Sequence, residues 1–256
     1  MMPLPPRPVR CRVSLLLAIA LAGCAAQHSS GSSDGFGLES RLRVADAAAQ
    51  AGDDDLAASL YAAAAVAAPD NGSVQVRAAT ALVRSGKVAQ ARQVLFRYLK
   101  AAPADEAAMR TLAGIDLDEA RIVDAVAMLD RLLAAHPDDA GALADKGVAL
   151  DMESRHAAAQ ALYRQALGMQ PDDAAIRNDL ALSLLLEGKV REAIAALAPV
   201  EDSPALPARA RATLALLYAL DGQPVRSRSV AGSDLSEAYV SEVAKAVAAG
   251  RSLPKT

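Results

Sequence analysis

Three histidines, His28, His136 and His156, are the side chains of this chain most suited to proton transfer or metal ligation. A protein metal site needs three or four converging ligands, and a serine nucleophile needs a base beside it. His28 lies in a Ser/Gly-rich stretch, His136 directly precedes Pro137, and His156 opens an expected helix. None shares a helix face with another His or with a Cys. The pairs Asp138-Asp139 and Asp172-Asp173 follow prolines. There a carboxylate would accept the orphan amides of a helix start and meet the positive end of its dipole. Acid–base catalysis would instead need the pairs to converge in a cleft, and they recur a full 34 residues apart. No Gly-rich phosphate loop follows a strand. These residues point to no catalytic centre, no metal and no cofactor.

The elements that would position such residues announce themselves by period. Pro69, Pro103, Pro137 and Pro171 are spaced 34 residues apart, and Gly52, Gly86, Gly188 and Gly222 keep the same step, with Ala120 and Ser154 in the two intervening slots. A fixed period of this size marks a stacked array of supersecondary units. Two punctuation points per unit imply two short helices, a turn between them and a turn after. With proline at position 32, units begin at Leu38, Gly72, Glu106, Ala140, Ala174 and Ala208. Position 8 is then Ala45, Ala79, Ala113, Gly147, Ala181 and Ala215, and position 20 is Ala57, Ala91, Ala125, Ala159 and Ala193. These small residues would let paired helices approach closely. Position 24 (Tyr61, Leu95, Leu129, Tyr163, Leu197) would fill the gap to the next unit, with Ala64, Tyr98, Leu132, Ala166 and Val200 at position 27. Pro199 interrupts the second helix of unit five, and the stretch from Glu201 to Pro207 makes a longer break before a helix Ala208–Leu220.

This pattern resembles the tetratricopeptide repeat over Leu38 to about Asp221. The resemblance implies an all-α, right-handed solenoid of five to six helix–turn–helix units with a C-terminal capping helix. It departs from the family at positions 4 and 11, where Trp and Tyr are favoured. Position 4 here is Arg41, Gln75, Met109, Leu143, Arg177 and Arg211. In that family the first helix of each unit lines a groove that binds peptides. The resemblance therefore nominates Asp46, Arg77, Arg84, Arg110, Asp145, Asp151, Asn178 and Arg209, with Val76, Val83, Leu117, Leu182 and Leu216 as apolar partners. The family's clamp for acidic peptide tails wants Lys and Asn where this chain has Leu42 and Asp46. Arg77, Arg84 and Arg110 would cluster in units two and three, which favours a partner of acidic and apolar character.

The ends add a location. Arg7, Arg10 and Arg12 precede the apolar run Val13–Leu21, too short to span a bilayer, so residues 1–23 read as a secretory signal. Leu21-Ala22-Gly23-Cys24 resembles the bacterial lipobox, which implies cleavage before Cys24, its lipidation and, with Ala25 following, sorting to the outer membrane. Several acyl chains anchor a protein stably. Residues 24–37 form a flexible tether of about 20 Å. The chain carries a net charge of −3, and losing the leader's arginines makes it more acidic. That balance excludes nucleic acid and adhesion to anionic lipid, leaving the lipid as the sole membrane contact. Residues 222–256 read as a cap, with a helix from Pro224 and a last one from Ser233 to about Ala249, or as a partner-docking arm.

The lipobox, the tether, the repeats and the ending Asp221-Gly222-Gln223-Pro224 with Asp234-Leu235-Ser236 together resemble the tight-adherence (Flp) pilus assembly lipoproteins of the TadD type. That resemblance implies a periplasm-facing scaffold with a secretin or another pilus component as its protein partner. The alternative is a periplasmic adaptor that recruits peptidoglycan hydrolases or proteases through the same groove. Neither reading has a small-molecule substrate.

Overall fold

The computed structural model describes residues 37–231. Among these residues the elements are helices alone, and they fall on the expected beat. First helices are α1 Leu38–Gln50, α3 Gly72–Arg84, α5 Glu106–Asp118, α7 Ala140–Met152, α9 Ala174–Leu186 and α11 Ala208–Leu220. Second helices are α2 Asp54–Ala67, α4 Val88–Ala101, α6 Ile122–Ala135, α8 His156–Met169, α10 Val190–Leu197 and α12 Pro224–Ala231. The signal, Cys24, the tether up to residue 36, Asp234-Leu235-Ser236 and the last expected helix lie outside the described residues.

Each turn inside a unit is the same backbone device. Gly52, Gly86, Ala120, Ser154, Gly188 and Gly222 all adopt positive φ, between 55° and 77°. The residue after each donates its amide five residues back: Asp53 to the Ala48 carbonyl at 2.9 Å in unit one, Gln223 to Tyr218 at 2.8 Å in unit six. This is the helix-ending bond pattern that a left-handed residue permits. Between units the chain turns by a different route. A proline disfavours helical backbone in the residue before it. Ala68, Ala102, His136 and Gln170 accordingly leave the helix with φ between −124° and −131°. The next helix is then capped by Asn71, Asp105, Asp139 or Asp173, whose side chains accept amides of the first turn. The acidic pairs at 138–139 and 172–173 are thus helix starts, as the sequence suggests.

Packing follows the small and large positions. Every residue assigned above to positions 8, 20, 24 and 27 is buried, and the alanines at 8 and 20 are 0–1% exposed. Alanine at both contacts lets helix backbones pair closely without large side chains to interleave. Unit five departs as Pro199 predicts. Helix α10 has 8 residues where α4, α6 and α8 have 14, and a 3-10 turn, Ala198–Val200, ends it. Helix α12 keeps the phase of the other second helices, with Pro224 in its first turn, where proline's missing amide costs nothing. Ser227 is buried against α11 and donates to the Ala215 carbonyl at 2.8 Å. Arg226 stacks over the Tyr218 ring, 4.4 Å from its centroid. The helix pairing therefore runs on through Ala231.

Candidate functional site: the inner rank of helices

Stacking sorts the helices into two ranks. The first helices α3, α5, α7, α9 and α11 touch one another in succession, whereas α2, α4, α6, α8 and α10 each meet the first helix of the following unit. The first helices thus form the inner rank, and positions exposed on it are those a bound segment would meet.

The arginines nominated for this face are each paired within the protein. Arg77 meets Asp46 of the preceding unit, and the Tyr61 hydroxyl donates to the same carboxylate oxygen. Those hydrogen bonds, Arg77's first, hold the Asp46 carboxyl below the usual range. The Arg77 guanidinium also lies 5.0 Å from the Tyr61 ring centroid. Arg84 pairs with Asp54 at 2.7 Å. Both arginines border a cleft of about 180 Å³ with Tyr61, Val76 and Thr80. Arg110 lies outside that cleft and points to unit four, 3.5 Å from Asp139. Arg77 and Arg84 thus share a cleft that Arg110 does not line, and each of the three arginines is met by an acid that a reading by helix face leaves out.

Units four and five carry the opposite chemistry. Burial pushes the Asp145 carboxyl up to about 6, with Arg110 opposing and Asp179 and Asp139 reinforcing the shift. Among the described residues no hydrogen bond or ion pair within 4 Å reaches it. Burial likewise raises Asp179, against the pull of Arg209 at 2.8 Å. Asn178 is only 1% exposed, so it is a core residue rather than an open groove contact. Its Nδ2 lies 3.4 Å from Asp179 Oδ1, and its Oδ1 is buried without a hydrogen-bond partner. A cleft of about 320 Å³ is lined by Val148, Asp151, Met152, Tyr163, Asp179, Leu182, Ser183 and Leu186. The other nominations divide: Leu182 borders this cleft, Leu117 is buried, and Val76 and Val83 are half-buried against the core.

One arrangement there looks catalytic and is not. Asp151 Oδ1 accepts from Ser183 Oγ at 2.8 Å and meets His156 Nδ1 at 2.8 Å, while Tyr163 donates to Oδ2 at 3.0 Å. A nucleophilic triad places the imidazole between the serine and the acid. Here serine and histidine both spend themselves on the carboxylate, so the serine has no base. His136 is occupied as well, 2.8 Å from Glu106. Sequence reasoning missed this network because Gly147, the one non-alanine at position 8, gives no hint of it. An added methyl at Gly147 would lie 2.6 Å from the Tyr163 ring, so the missing methyl makes the space in which the ring reaches Asp151. It also missed Asp116, 2% exposed at position 11 and held by Arg92 at 2.6 Å and Arg121 at 3.0 Å.

Two family models, both described as tetratricopeptide repeat, match the chain over residues 48–115 and over 115–174 and 153–207. The chain belongs to the tetratricopeptide-repeat family. Solved structures with a similar fold include a thermophilic tetratricopeptide-repeat protein of Thermus thermophilus, TTC0263 (TM-score 0.59, 21% identity, 69% of this chain and 98% of that one). PilF of Pseudomonas aeruginosa is similar at TM-score 0.57 and 13% identity, over 75% of this chain and 87% of that one. MamA is similar at TM-score 0.51 and 18% identity, over 68% and 98%. At these identities the likeness is one of fold. No curated protein matches the chain. As a tetratricopeptide-repeat protein it is a protein–protein interaction scaffold, and its inner rank is the surface to question.

Proposed function

We propose that this tetratricopeptide-repeat protein is a non-catalytic scaffold anchored in the bacterial outer membrane through lipidated Cys24, where it assists assembly of a pilus or secretion machine around a secretin. The observation that carries the scaffold reading is the inner rank itself. Most of its charged side chains are engaged in pairing and capping, and its apolar side chains Met152, Leu182 and Leu186 are left exposed. A solenoid of this kind offers a continuous face without a reaction centre. The membrane reading is supported by Leu21-Ala22-Gly23-Cys24 and its charged leader, and the pilus reading by the ending Asp221-Gly222-Gln223-Pro224.

Two measurements test it. Replacing Cys24→Ala should move the protein from the outer-membrane fraction to the soluble one; retention at the membrane would overturn the lipid anchor. Crosslinking of the tagged protein in solubilised outer membranes, with partners identified by mass spectrometry, should recover a secretin or pilus component. Recovery of peptidoglycan hydrolases or proteases instead would transfer the scaffold to cell-wall control.

A further inference from the structure

The two clefts of the inner rank differ in what they still need. At units one and two the charges are closed: Asp46 with Arg77, Asp54 with Arg84. On the inner helices α7 and α9 an acid is left without a partner, while the cations Lys146 and Arg177 are both engaged. Asp145 has a half-buried carboxylate that receives no hydrogen bond among the described residues. A carboxylate of this kind offers acceptors only and is matched by donors alone. Nearby, Asp179 shares one exposed arginine, Arg209, and Asp151 is committed to His156, Tyr163 and Ser183. Asp145 lies one turn from Val148 on the same face of α7, and Val148 opens the apolar cleft. Its apolar wall is laid bare: Leu186 is 65% exposed and Leu182 36%.

We infer that the inner face of α7 and α9 docks a partner segment that presents a lysine or arginine to Asp145 and Asp179 and, beside it, an apolar side chain to Leu182 and Leu186. The inference rests on reading the inner rank as a partner-docking surface, and it reverses the acidic partner that the arginines alone suggest. Lysine brings three donors on one charge and arginine five in a planar fork, and either suits an acceptor-only site. Burial of the apolar neighbour supplies affinity, and the charge supplies register and selectivity.

The test is selection of a phage-displayed random dodecapeptide library on the purified full chain in detergent. Each enriched peptide is then resynthesised and measured by fluorescence anisotropy. Peptides with Lys or Arg next to an aliphatic or aromatic residue should be enriched. Their affinity should fall roughly tenfold with Asp145→Asn, as expected for loss of a charged hydrogen-bond partner. It should also fall with Leu182→Ala and stay unchanged with Arg84→Ala. Helical circular dichroism of each variant separates lost binding from lost fold. Enrichment of acidic peptides would overturn the assigned charge while leaving a docking face. Basic peptides bound equally by the Asp145→Asn variant would reveal attraction to net charge alone and overturn the site. No enrichment from a folded chain would remove the docking surface itself.

Discussion

Single side chains carry the clearest tests. Asp145 titrates at about 6 in the folded protein because burial penalises its charge, against 3.8 for an ordinary carboxyl. A folded pKa above the unfolded one means that the folded state holds its proton longer. Stability from this group is therefore intact below about pH 3.8 and is lost as pH rises through 6. Asp145→Asn should stabilise the fold at pH 7 by about 1–2 kcal/mol, the full shift discounted for partial exposure, and by nearly nothing at pH 3.5. Thermal melts of both proteins across that range check it, and an equal gain at both ends would contradict the buried charge. Ala120 and Ser154 hold the left-handed slot that glycine fills elsewhere. A side chain there costs about 1–2 kcal/mol, and glycine's extra unfolded freedom returns some of that. Ala120→Gly and Ser154→Gly should each stabilise by about 0.5–1 kcal/mol in urea unfolding. Sequence shows these slots, the prolines and the capping acids because each depends on residues a few positions away. Asp116, Asn178 and the unpaired state of Asp145 depend on what the next unit stacks against them, so residue type alone conceals them. The pairing of Arg77 and Arg84 with acids about one unit upstream does leave a trace, as opposite charges at a repeating offset, once charge is compared between units rather than along one helix face.

At the scale of a helix pair, the decisive variable is the space between positions 8 and 24. Unit one combines Ala45 with Tyr61, whose hydroxyl reaches Asp46; unit four combines Gly147 with Tyr163, whose hydroxyl reaches Asp151. The same two positions thus aim a tyrosine at different points of its first helix, according to one methyl group. Gly147→Ala would restore the residue that position 8 carries in the other units, yet it should destabilise the protein. The methyl would sit 2.6 Å from the Tyr163 ring and force it off Asp151. Overpacking of this kind costs about 1–3 kcal/mol. A lowered melting temperature together with restored mobility of the Tyr163 ring by NMR is the expected result, and an unchanged melt would mean that the pair can widen. The short α10 makes the same point from the other side. Pro199 shortens the helix, and the chain after it restarts at Ala208 on the original beat.

The whole array is one stack with two cores. Buried side chains of units one to three form one cluster, joined by Ala142 and Ala149, and those of units four to six form another. Between α6 and α8, where the clusters meet, lies a cleft of about 730 Å³ bordered by Val123, Val126, Leu150 and Leu162, with Lys146 bridging to Asp130 at 2.6 Å. Arrays unfold by units and interfaces. Native-state hydrogen exchange should therefore separate the amides into two protected blocks that divide at α6–α7. A single free energy shared from α5 to α8 would show that the cleft does not weaken coupling. The ion pairs that sew one unit to the next reach beyond stability. If a gene lost the codons for Gly72–Asp105 in frame, helices, turns and prolines would all realign, since the deletion removes one period. Asp46 would then face Thr111 instead of Arg77, and Asp54 would face Asp118 instead of Arg84. The backbone thus forgives the duplications and losses by which repeat genes drift, while the charges keep a fixed order of units. The repeats are alike in shape but they are not interchangeable parts.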